Sequence, residues 1–188
     1  MALPWLSVLF TMVFGQNIWP QSISITYYED AAMPMLVIIL GAASILLFTY
    51  EGYEKIDNIV NTLAAVFGLM IILFPCKYDL EHCGAFQINY NVSHAIHMIA
   101  AVVFFALLSF NSLFLFTKNA GEMTNKKKIR NIIYRVCGIG MIASFALLIP
   151  FELCHVRVGI WIVEAIALMF FGISWLTKSQ YYNWLFKD

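Results

Sequence analysis

The chain has 188 residues, of which 62% are hydrophobic and only 12% charged, with eleven Lys and Arg balanced by eleven Asp and Glu. Soluble domains carry charge on roughly a quarter of their residues, so a mean hydropathy of +0.80 excludes a water-exposed globular fold. Zero net charge offers no basic surface for nucleic acid, and the length holds one domain, undivided by any Pro/Gly/Ser-rich linker, repeat or low-complexity tract.

Long apolar runs predict an all-α membrane protein, a bundle of six transmembrane helices joined by short loops. The first span, 3–19, is the weakest, because its strictly apolar part runs only from Ala2 to Phe14 before Gln16 and Asn17. A cleaved signal peptide is its rival, yet no basic residue precedes the run and no A-x-A site ends it. Without that span five helices remain and the N-terminus changes side. The others are 33–50, 59–74, 93–116, 131–149 and 158–175, most of them near the roughly 20 residues that cross a hydrocarbon core. Pro4 and Pro34 lie at the starts of runs, where a missing N–H costs little. Pro20, Pro75 and Pro150 lie just past ends, so no proline falls inside a predicted span.

Orientation follows from lysine and arginine alone. Alternate connections and the tail collect Lys55, Lys118, Lys126, Lys127, Lys128, Arg130, Arg135, Lys178 and Lys187, against only Lys77 and Arg157 on the other side. The 117–130 loop and the C-terminus are therefore expected in the cytoplasm. The 20–32, 75–92 and 150–157 loops are expected outside a plasma (inner) membrane. Aromatics such as Trp19, Tyr27, Tyr28, Tyr50, Tyr53, Trp175 and Trp184 gather near span ends, as interfacial aromatics do. Ala64 with Gly68, and Gly140 with Ser144, have the four-residue spacing of close helix contacts.

Several stretches together carry a resemblance. They are Ser22-Ile-Ser-Ile-Thr-Tyr-Tyr28, Tyr50-Glu-Gly-Tyr-Glu-Lys-Ile-Asp57-Asn58, Ile96-His97 with the 104–118 stretch, Arg130-Asn-Ile-Ile-Tyr134 and Phe171-Gly-Ile-Ser-Trp175. As a set they resemble uncharacterised bacterial multispanning inner-membrane proteins, a domain-of-unknown-function group loosely akin to the Frag/DRAM/Sfk proteins. The resemblance runs from about Ser22 onward. It implies a polytopic inner-membrane protein and no catalytic residue. The N-terminal part and the Cys76/Cys83 pair depart from the pattern.

On the predicted topology His82, His94, His97, Glu152 and His155 reach the outer side, and Glu164 sits about 9 Å into the sixth helix. His94 and His97 are spaced i, i+3 and share a helix face, as do Ser93 and His97 at i, i+4. An ionisable residue inside a span is by default a functional candidate, and Glu164 is the clearest. One reading is a metal site of His94, His97, Glu164 and His155, a set that suits zinc with one position left for water. Such a site would hydrolyse lipid headgroups at the outer leaflet, by analogy with seven-helix membrane hydrolases. The paired-histidine motif and seventh helix of those enzymes are missing. The plainer reading is solvent-wet histidines and a Glu164 hydrogen-bonded within the bundle; a proton relay is a third. Asp57 is expected to lie most of the roughly 30 Å core away from His97, which rules out a shared site.

Cys76, Cys83 and Cys154 fall on the outer side and Cys137 in the cytoplasmic half of the fifth helix. An oxidising outer compartment allows a Cys76–Cys83 disulfide, or Cys154 with either partner. Zinc held by Cys76, His82 and Cys83 is a further alternative. Asn91-Val-Ser93 fits a glycosylation acceptor but lies too near the membrane to be a good one.

On the cytoplasmic side, Lys126, Lys127, Lys128 and Arg130 are candidate contacts for anionic lipid headgroups, each worth about 1 kcal/mol. The alternative is that they only set orientation. Glu51, Glu54 and Asp57 face this loop, and Asn61 is placed to hydrogen-bond Asn111. No phosphate-binding glycine loop, nucleophile elbow or paired-cysteine metal motif occurs. The expected function is therefore a non-catalytic membrane protein that senses, binds lipid or supports a partner. Its expected associates are membrane lipids, further copies of itself or a partner membrane protein. The alternatives are a metal-assisted lipid hydrolase and a transporter or channel subunit, the last weakened by apolar helix centres.

Overall fold

The computed structural model describes residues 1–14, 20–30, 32–76, 82–118, 124–154 and 157–179, with the backbone alone at 149, 152, 153, 157 and 158. Six α-helices occur among them: α1 (Leu3–Phe14), α2 (Met33–Phe48), α3 (Lys55–Leu73), α4 (Tyr90–Phe110), α5 (Asn125–Leu153) and α6 (Arg157–Lys178). Four stretches, Lys55–Leu73, Tyr90–Leu115, Asn125–Leu148 and Gly159–Lys178, are long and apolar enough to cross a membrane. At 1.5 Å per residue, the 12 residues of α1 extend about 18 Å and the 16 of α2 about 24 Å, both short of a core of roughly 30 Å. Of the first predicted span, the described part is helical from Leu3 to Phe14, and residues 15–19 lie outside the described ones.

Local chemistry sets the other boundaries. α3 starts four residues ahead of the predicted 59, because Glu54 and Asp57 form a reciprocal capping box. Asp57 Oδ2 accepts the N–H groups of Tyr53 (2.8 Å) and Glu54 (3.2 Å). α4 starts at Tyr90 because Asn89 caps it, its Oδ1 accepting from the Asn91 N–H at 3.0 Å. At its far end α4 loosens into a π-helical turn, Asn111–Leu115, closed by Phe116 N–H to Asn111 O at 2.8 Å.

Pro150 corrects the predicted end of the fifth helix. It lies inside α5, and Cys154 N–H still donates to Pro150 O at 2.9 Å. A proline gives up its own N–H bond and crowds the turn before it, but it does not stop later residues from bonding, and α5 runs three residues past Pro150. The structure also adds a hairpin with no counterpart in the predicted elements, β1 (His82–Cys83) against β2 (Ile88–Asn89), antiparallel with Cys83 opposite Ile88. Gly84 turns it at φ +77°, where a side chain would meet Leu73 O at 2.7 Å. Phe86 stacks on Phe74 and docks the hairpin on the end of α3.

α3 packs between α2 and α4, α5 packs most extensively on α6, and α4 joins the two groups. The central core is Leu40, Leu47, Ala64, Ala65, Phe104, Leu108 and Met141. Small residues set the helix separations: a Cβ on Gly68 would fall 2.4 Å from Ser44 Oγ and 3.1 Å from Phe104, and one on Gly140 2.4 Å from Phe170. α1 lies against α6, with Leu3 in a cluster with Trp161 and Ala165, and Met1 packs on Gly172. Ile38, Ile45, Ile99, Val102, Ile132 and Ile139 are exposed apolar side chains, an outer surface that fits helices long and apolar enough to cross a membrane.

Polar groups concentrate at the two ends. At the end holding the start of α3, Lys118 Nζ bridges Asp57 (2.8 Å) and Glu54 (3.0 Å). One turn further in, Asn61 and Asn111 exchange side-chain hydrogen bonds at 3.1 and 3.4 Å, the expected pairing. Lys127, expected to meet lipid headgroups, instead turns inward and donates to Phe116 O at 3.0 Å.

Candidate functional site

The opposite end of the bundle is built around the close of α3. The carbonyl of Ile71 would normally accept the N–H of residue 75, but that residue is proline and has none to give. Two side chains on one face of α4 take over these chain-end acceptors. Ser93 Oγ donates to Pro75 O at 2.8 Å, and His97 Nδ1 lies 3.2 Å from Ile71 O and 3.0 Å from Phe74 O. Carbonyl oxygens only accept, so Nδ1 carries the proton of the ring. That leaves Nε2 with its lone pair, and 3.1 Å away is Ser24 Oγ, whose O–H donates to it. His97 is 3% exposed, so this arrangement lies within the protein.

Ser24 arrives from the connection between α1 and α2, which crosses this end of the bundle as a tight turn, Ser24–Tyr28. Glu164 of α6 ties the connection down. Its Oε1 accepts from Ser22 Oγ at 3.1 Å and its Oε2 from Ile23 N–H at 2.5 Å. Ser22 Oγ in turn accepts the Ser24 N–H at 3.0 Å, and Thr26 Oγ1 donates to Ile23 O at 2.6 Å. Tyr28 completes the fastening by donating to Cys76 O at 2.6 Å. Burial holds the Tyr28 phenol well above its usual range, the Cys83 thiol adding to it. Burial likewise pushes the Cys76 thiol up to about 12, helped by the nearby Glu164 charge.

Beneath these groups lies a cavity of about 650 Å³. Ser22, Ser24, Cys76, His94, His97 and Glu164 line its polar end. From there Met98, Ala101, Phe104 and Phe105 of α4 lead inward, with Leu40, Phe145 and Leu168 also in the lining, while Leu3, Ile23, Ile160 and Val163 add apolar surface beside the polar groups. Ligand pockets commonly span about 300–1,000 Å³ and are apolar with a few convergent polar groups. This one has its few polar groups gathered at one end of an otherwise apolar lining.

The residues expected to hold metal meet here in part. His94, His97 and Glu164 border the same cavity, whereas His155 lies outside the described residues. Both ring nitrogens of His97 and both oxygens of Glu164 already hold protein partners. Among the described residues no three His, Cys, Asp or Glu are grouped as metal ligands. His82 is exposed on the hairpin, and Cys76 and Cys83 are buried free thiols. Asp57 and His97 bond the first and last turns of α3, some 14 residues or about 21 Å apart, and share no site. Ser22 and Ser24 escaped notice as site residues: their only local signal is a Ser-Ile-Ser spacing, and their partners lie 142 and 73 residues away.

No protein-family model matches this chain, and no curated protein and no solved structure is detectably similar to it. The chemistry of the cavity has to be read from its own residues.

Proposed function

We propose that this protein is a polytopic plasma-membrane protein that binds one amphiphilic lipid within its helix bundle. The acyl chain lies along Met98, Ala101, Phe105 and Phe145, and the polar head meets Ser22, His94 and Glu164. The observation that carries this reading is a large, mostly apolar cavity whose few polar lining groups gather at one end. On this reading α1 and α2 accompany the four longer helices as membrane-embedded segments, giving the six-helix body expected from the apolar runs, in keeping with the resemblance to polytopic inner-membrane proteins. The excess of lysine and arginine around Lys118, Lys126, Lys127, Lys128 and Arg130 supports a cytoplasmic position for that end, and with it an outer-leaflet position for the cavity's polar mouth.

Native mass spectrometry on protein purified in mild detergent tests the reading. Wild type is expected to carry a single retained phospholipid or fatty acid. Ala101→Trp, which fills the cavity beneath His97, is expected to lose it at least about 10-fold, an indole offering more than the volume of several methylenes. Equal retention by both proteins would place the lipid on the outer surface and overturn the reading.

A further inference from the structure

We propose that Ser24 is a nucleophile activated by His97, and that the cavity hydrolyses the carboxylic ester of an acyl lipid without a metal. This rests on the lipid-binding reading above and names the chemistry of the same site. A serine hydroxyl becomes a competent nucleophile when a base accepts its proton and a third group fixes that base in the right tautomer. All three parts are present. Ser24 Oγ lies 3.1 Å from His97 Nε2, and the far nitrogen is committed to two carbonyls that accept only a proton-bearing Nδ1. Those carbonyls occupy the place that a carboxylate takes in many serine hydrolases. They orient the ring while adding no full charge.

The pair is also where a substrate would need it. Ser24 and His97 border the cavity at its polar end, and α4 descends from His97 through Ala101 to Phe105, eight residues or about 12 Å of apolar wall. An acyl chain laid along that wall brings its carboxyl carbon to the level of Ser24. Glu164 is a positioning residue: by holding Ser22 and Ile23 it sets where the Ser24 side chain stands.

The steps balance with water as the only co-reactant. Ser24 Oγ attacks the ester carbonyl carbon as His97 Nε2 takes the hydroxyl proton. The bond from that carbon to the alcohol oxygen breaks, and the imidazolium returns the proton to the departing alkoxide. Water then attacks the acyl-Ser24 carbonyl, giving its proton to Nε2. The carbon–Oγ bond breaks, fatty acid leaves, and Ser24 recovers its proton from His97.

A long-chain alkyl fluorophosphonate tests this on detergent-purified full-length protein, since it phosphonylates activated serines with release of fluoride. Wild type is expected to gain one phosphonyl group, mapped by peptide mass spectrometry to Ser24. Ser24→Ala should take none. His97→Gln should label on the order of 10²-fold more slowly or worse, the usual contribution of a general base. A wild-type protein that holds lipid in the cavity yet takes no label at Ser24 would overturn the proposal and leave lipid binding standing. Labelling that persists unchanged in His97→Gln would overturn it as well. Loss of cavity lipid binding is read separately, from Ala101→Trp.

Discussion

Cys76 and Cys154 illustrate how strongly position decides the behaviour of one side-chain type. Cys154 is exposed near the end of α5, whereas Cys76 is buried beside Glu164 and Tyr28 with its thiol pushed up to about 12. Only the thiolate reacts, so at pH 8, four units below that value, roughly one Cys76 in ten thousand is reactive. Alkylation of the folded, reduced protein at pH 8 should therefore modify Cys154 rapidly and leave Cys76 unmodified, as peptide mass spectrometry would record. Rapid modification of Cys76 would contradict the burial described. The same shift has a sign for stability: the unfolded thiol ionises near 9 and the folded one near 12. Below pH 9 it costs the fold nothing, and between 9 and 12 rising pH favours the unfolded state.

Residue chemistry was partly legible in the sequence. Asn61 and Asn111 lie at similar levels of their helices, and an amide in hydrocarbon seeks a polar partner, so their pairing was legible from level as one available contact. The separation of Asp57 from His97 followed in the same way. The Ser24–His97 contact did not, since it depends on a connection folding back across the bundle to a helix 73 residues away. Nor did the inward turn of Lys127, whose ammonium finds a carbonyl freed where α4 ends.

At the scale of helices, close approach rather than hydrophobicity distinguishes one pairing from another. Gly68 lets α3 meet both Ser44 of α2 and Phe104 of α4. Gly68→Ala is expected to destabilise the bundle by about 1–3 kcal/mol, the usual cost of overpacking. Combining it with Ser44→Ala, which removes the oxygen 2.4 Å from the added methyl, should recover part of that loss in a double-mutant cycle of thermal unfolding. Strictly additive effects would show that the two helices do not meet there. The Ala64/Gly68 and Gly140/Ser144 spacings announced such contacts, though not their partners. Helix ends were less legible, because caps such as Glu54 with Asp57 add turns that an apolar run does not contain, and a proline such as Pro150 need not stop a helix in a membrane.

For the whole molecule, the proposed orientation makes a clear prediction in intact cells. In a background with Cys154 replaced by Ser, Phe86→Cys on the exposed hairpin turn should react with a membrane-impermeant maleimide. Lys128→Cys, at the lysine-rich start of α5, should react only after permeabilisation. Labelling of Lys128→Cys in sealed cells would invert the topology and move the cavity's polar mouth to the cytoplasm.

Composition and hydropathy determined by themselves that this chain is helical and apolar, where its helices lie approximately, and which loops carry its basic charge, though not that only four of the six helices are long enough to cross a membrane. Those properties are additive along the chain: transfer to a lipid-like interior depends on the residues of a segment and hardly on its neighbours. Only the tertiary structure decided that α1 leans on α6, and that Glu164 holds a connection rather than standing alone. It also decided that His97 finds its partners at the end of α3 and on Ser24. In hydrocarbon one apolar face packs nearly as well as another, so hydrophobicity leaves helix rotation and neighbours open. A few polar groups, each needing a partner where water is absent, choose among them.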